Sequence, residues 1–80
     1  FEPHGALFSG TEGLDVIRAL VPEAFGSLTA GGTILLEIGA GQAVRIAEWL
    51  GEAGFVEVTT HRDLSGRDRM IEAKRPTGFI

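Results

Sequence analysis

Glu37 is the one charged residue in the most apolar stretch of the chain, Thr33-Ile34-Leu35-Leu36-Glu37-Ile38. A carboxylate in such surroundings must be paired or hydrogen-bonded, because desolvating it bare is costly. Two roles fit it: a structural bond to nearby backbone amides, or a place in a ligand site at the end of a strand. Gly39-Ala40-Gly41 follows directly. Glycines at a strand-to-helix turn let a phosphate or an adenosine approach backbone amides at a helix start. They serve turn geometry equally well. Asp63, Arg67, Asp68 and Arg69 form a compact charged cluster. It reads as a solvated turn with internal ion pairs, each worth about 0–1 kcal/mol. Glu2-Pro3 sets an acid beside a rigid, extended dipeptide, a pairing able to line a groove for a peptide or an amide.

Other chemistries lack their residues. His4 and His61 have no acidic or cysteine companion at metal-ligand spacing, so both read as ordinary loop or strand-end residues. Ser9, Ser27 and Ser65 have no nucleophile elbow around them. Neither a dinucleotide fingerprint, a phosphate-binding loop nor an HExxH helix occurs. Cysteine is absent, which removes disulfides and thiolate metal sites. Eleven acids against seven bases, a net charge of −4, argue against a nucleic-acid surface. No apolar run approaches the roughly 20 residues of a membrane span. The first ten residues lack the basic-then-apolar pattern of a secretory signal, so the cytoplasm is the expected compartment. Eighty residues allow one domain, and 44% hydrophobic with 22% charged residues is globular composition.

The elements that must position these residues follow from periodicity. Residues 1–10 read as loop, with Leu7 and Phe8 apolar enough to pack beneath it. Leu14, Ile17, Val21, Phe25 and Leu28 mark one helical face over 12–28, with Thr11 as N-cap. Pro22 lies inside that pattern and removes a backbone donor, so the helix kinks there or divides. The unbroken stripe favours a kink. Thr33–Ile38, without alternation, reads as a strand covered on both faces. Ala43, Ile46, Ala47, Leu50 and Ala53 give a second helix over 42–53, closed by Gly54, with Trp49 at the edge of its apolar stripe. Residues 55–60 and 69–74 read as strands around a polar turn at Gly66. So short a turn predicts a hairpin, hence a last strand antiparallel to its predecessor. The class is α/β: a strand–helix–strand unit ending in an antiparallel hairpin.

In order, these segments resemble the C-terminal part of the HemK (PrmC) family. Glu2-Pro3 with Ala6-Leu7-Phe8 looks like its EPxxAL segment, and Gly10 with Gly13-Leu14-Asp15 like its GxxGLD helix start. Gly31-Gly32, Leu36-Glu37-Ile38-Gly39 and Gln42 look like its GGxxLLEIGxxQ run. Gly54-Phe55, Asp63-Leu64, Gly66 and Asp68-Arg69 look like its GF…DLxGxDR ending. The likeness covers residues 1–75, leaving 76–80 as a tail. The ordered set is more specific than any one piece.

The resemblance implies a Rossmann-like, S-adenosylmethionine-dependent protein-glutamine N5-methyltransferase acting on the GGQ glutamine of peptide chain release factors. It implies that the family's cofactor loop and its NPPY catalytic motif lie upstream of this chain, so that the segment alone is inactive. In the family, NPPY acceptors hold the glutamine amide and aim its nitrogen at the methyl group. Such positioning contributes several kcal/mol, of the order seen for well-oriented reactants. By resemblance, Glu2, Pro3, Leu7 and Phe8 border the groove for the release factor, and Glu37 braces loops beside the site. The charged cluster over 63–69 fixes the hairpin. No catalytic, cofactor-binding or metal-binding residue is assigned to these 80 residues. Two other readings stay open: a non-catalytic α/β interaction module, and an NPPY-type methyltransferase acting on nucleic acid or a small molecule. The acidic balance weighs mildly against nucleic acid.

Overall fold

Ile34 and Leu36, two residues apart on one strand, are both fully buried and mark the centre of the fold. The computed structural model describes residues 4–8 and 13–77, with Phe8 described by its backbone alone. The elements run β1 (Gly5–Phe8), α1 (Leu14–Ser27), β2 (Thr33–Glu37), α2 (Ala43–Ala53), β3 (Val56–Arg62) and β4 (Asp68–Lys74). The strands form one four-stranded sheet in the order β1-β2-β4-β3. β2 pairs parallel with β1 and antiparallel with β4, which pairs antiparallel with β3. β2 and β3 therefore run the same way with β4 between them. This is the expected strand–helix–strand unit, with its last strand reversed.

β1 is a correction to the loop expected over 1–10. The GALF segment carries no strong strand signal of its own. Its partner does: β2 offers an edge of backbone donors and acceptors, and buried peptide groups must be satisfied. Gly5 to Phe8 pair in register with Thr33 to Leu36, and the Thr33 amide donates to the His4 carbonyl at 3.1 Å.

Both helices pack on one face of the sheet. Ile17, Val21 and Ala24 of α1, Ile46 and Leu50 of α2, and Ile34, Leu36, Ile71 and Ala73 of the sheet share one apolar cluster. The opposite face is half-open. Thr33 and Leu35 are half-buried and Glu37 is exposed, so β2 is covered on one face rather than two. An unbroken apolar run reads as doubly covered, but the second layer is absent among the described residues. β3 forms the outer edge and is exposed throughout except at Val58. A break in register between Val56 and Thr59, with Glu57 at φ 52°, disrupts that edge as bulges do.

α1 continues as a single helix across Pro22. Thr11 lies outside the described residues, and Gly13 occupies the N-cap position without a side-chain cap. α2 ends at Gly54, whose φ of 110° suits glycine. Phe25 closes on the same point. A Cβ on Gly54 would stand 2.9 Å from its ring, which packs edge-on to Phe55 with centroids 5.1 Å apart. The Arg75 guanidinium lies 4.9 Å from the other aromatic partner, the Phe25 centroid, and hydrogen-bonds the Leu28 carbonyl. Trp49 is half-buried beneath Arg18, 5.8 Å from its ring centroid.

Candidate functional site

Strand direction decides which residues meet. The carboxyl ends of β1, β2 and β3 all reach the same end of the sheet. That end collects Phe8, Glu37, the Gly39–Gly41 turn before α2, and the turn over 63–67 that joins β3 to β4. The Ile38 amide donates to the Arg69 carbonyl at 2.9 Å, tying the exit of β2 to the start of β4. Glu37, Ile38, Arg69 and Met70 line a shallow cleft of about 290 Å³ there. Open α/β sheets bind ligands at this end.

Glu37 differs from expectation. It ends β2 on the half-open face, so its carboxylate is exposed and needs no compensating partner. Its chemical interest is position: an accessible acceptor at the cleft, opposite Met70 in register. The Gly39–Gly41 turn has its leading amide already engaged. Gly39 N–H donates to the Gln42 side-chain oxygen at 2.7 Å, and Gly41 takes a φ of 77°. The glycines serve the turn, and this amide is not open to an anion.

Asp63 organises the hairpin. Oδ1 accepts from the amides of Ser65 and Arg67 at 2.8 and 3.0 Å, and Oδ2 accepts from Arg69 Nε at 2.8 Å. The Arg69 hydrogen bond, followed by the Arg67 amide, holds its carboxyl below the ordinary carboxylate value. Arg62 pairs with Asp68 at 3.1 Å. The cluster is the solvated, internally paired turn that its composition indicated.

The remaining candidates separate. Glu2 and Pro3 lie outside the described residues. Leu7 is 60% exposed on the half-open face beside Leu35. Phe8 pairs with Leu36 through its backbone. His61 bonds Glu72 at 2.9 Å, whereas His4 meets Thr29 at 3.3 Å beyond the opposite end of the sheet. Among the described residues, no three His, Cys, Asp or Glu side chains gather as metal ligands. The sequence reading quotes Leu64 within the hairpin motif but gives it no role; it is wholly exposed at the hairpin tip. Its signal was a lone leucine in an otherwise polar turn. Among the described residues, no helix is long and apolar enough to cross a membrane.

No family model matches the chain. Solved structures and curated sequences do. The crystal structure of a release-factor-specific protein-(glutamine-N5) methyltransferase from Alicyclobacillus acidocaldarius superposes with a TM-score of 0.72 at 28% identity, over 91% of this chain and 48% of that one. The fold is thus that of the C-terminal portion of a Rossmann-like methyltransferase. Release factor glutamine methyltransferases from Cereibacter sphaeroides and Pseudomonas aeruginosa are 45% and 46% identical over 95% and 88% of the chain. The chain is similar, over nearly its whole length, to the C-terminal segment of the release factor glutamine methyltransferases. It spans about a quarter of the length of these curated relatives, 27% and 25%.

Proposed function

We propose that this chain is the C-terminal part of an S-adenosylmethionine-dependent methyltransferase that modifies the side-chain amide of the GGQ glutamine in peptide chain release factors. The observation that carries the reading is the 45% identity over 76 residues to a curated release factor glutamine methyltransferase. Its placement in the cytoplasm follows from a substrate that works in translation.

S-adenosylmethionine, when bound, supplies a methyl group already activated on a sulfonium. At the turn after β2 the residues do not offer it a cradle: the leading Gly39 amide is engaged by the Gln42 side chain. Cofactor contacts are assigned to segments other than this one. The role of this chain is to build one wall of the substrate groove. Leu7 and Phe8 border that groove, a reading supported by β1 finishing at the same end of the sheet as the cleft; the assignment of Glu2 and Pro3 to it rests on the sequence resemblance alone. Glu37 supports the site from the cleft floor as an anionic acceptor. It positions neighbouring groups and takes no proton in the transfer. The amide nitrogen needs orientation more than a base, and holding reactants in line lowers the barrier substantially.

The test uses the complete protein that contains this chain, incubated with S-adenosylmethionine and a release factor whose loop glutamine is intact or replaced. Methyl transfer to the intact factor alone is expected. Transfer that persists after replacement, or none to either, overturns the assignment.

A further inference from the structure

Leu64 stands fully in solvent, the most exposed large apolar side chain among the described residues. It is not on a loose tip. The turn beneath it is closed by Asp63 N–H to the Arg67 carbonyl at 2.9 Å and Gly66 N–H to the Asp63 carbonyl at 3.0 Å. The Asp63 carboxylate holds two further amides and Arg69. We propose that this hairpin tip is a docking point for the folded protein substrate, with Leu64 as its apolar anchor; the inference rests on the protein-substrate reading above.

Three features support it. The turn backbone that carries the anchor is preorganised, so little backbone freedom is lost when the leucine is buried in a partner. It lies at the same end of the sheet as the cleft lined by Glu37 and Arg69. The charge around it also differs from the rest of the chain. Residues 62–69 hold three arginines against two aspartates, a net +1, in a chain of net −4. Arg62 and Arg67 keep about two-thirds of their side-chain surface exposed despite their ion pairs. The fitting partner is therefore an apolar hollow rimmed by acids on the folded substrate, away from the loop that carries the reacting glutamine. The anchor is a fully exposed aliphatic side chain, which fits an apolar hollow on a protein surface better than a phosphate backbone or a stacked base.

The experiment compares two substrates of the complete enzyme: the whole folded release factor, and a short peptide carrying only its glutamine loop. Variants are Leu64→Ser, Leu64→Asp and Leu64→Met, with circular dichroism confirming that each folds. For the folded factor, Leu64→Ser should raise KM about tenfold with kcat unchanged, as expected for a buried leucine contact. Leu64→Asp should raise it further by repulsion from the acidic rim, and Leu64→Met should stay near the unsubstituted value. Peptide kinetics should not change. An unaltered KM for the folded factor overturns the inference, and so does an equal loss with the peptide. Failure of the unsubstituted enzyme to methylate either substrate instead overturns the proposed function, and this inference with it.

Discussion

Asp63 concentrates the local order of the hairpin in one carboxylate. It satisfies two turn amides and Arg69 at once, and those bonds favour its ionised form. Its folded-state pKa is lowered from 3.8, so the folded chain takes up this proton less readily than the unfolded chain. The stabilisation is fully present above the unfolded value and is lost as pH falls through the lowered one. The amide resonances of Ser65 and Arg67 should move with that titration, with a midpoint below 3.8. A midpoint at or above 3.8 would show that the carboxylate does not hold the turn. Glu37 makes the opposite point. Its apolar neighbours in sequence implied burial, yet its place at the end of β2 leaves it in water.

At the scale of elements, the junction of α2 and β3 is the most constrained. Gly54 must turn the chain at φ 110° and also leave room for Phe25 from α1. Replacing it by alanine adds both left-handed strain and a contact at 2.9 Å, so something must shift. Gly54→Ala should lower stability by about 1–3 kcal/mol, the range of local strain and overpacking together. Chemical denaturation would register this, and a change below about 0.5 kcal/mol, the usual range for surface substitutions, would contradict it. The Gly54 turn was readable from sequence because a glycine follows an apolar helical stripe. Its second duty was not, because Phe25 is distant in the chain.

For the whole molecule, the two helices cover one face of the sheet and leave Leu7, Leu35 and Met70 on the other. On the proposed reading the carboxyl end of the sheet serves as a groove wall and the cofactor contacts come from other segments. Calorimetric titration of this 80-residue chain with S-adenosylmethionine should therefore give no binding heat. Tight one-to-one binding would place the cofactor site here and refute the assignment of its contacts to other segments. Much of the architecture was legible beforehand: both helices, the central strand, and the antiparallel last strand followed from periodicity and turn length. β1 was not, because a four-residue strand is made by its partner rather than by its own pattern.

The sequence by itself determined the elements and their apolar faces, because side-chain period and turn residues act over a few neighbours. It determined the likeness to a methyltransferase segment through motifs kept in order. Tertiary structure decided what those faces meet. It placed β4 between β2 and β3, set β1 on the open edge, left Glu37 in solvent and raised Leu64 clear of the surface. Pairing and exposure depend on residues far apart in the chain, and only the folded sheet brings them together.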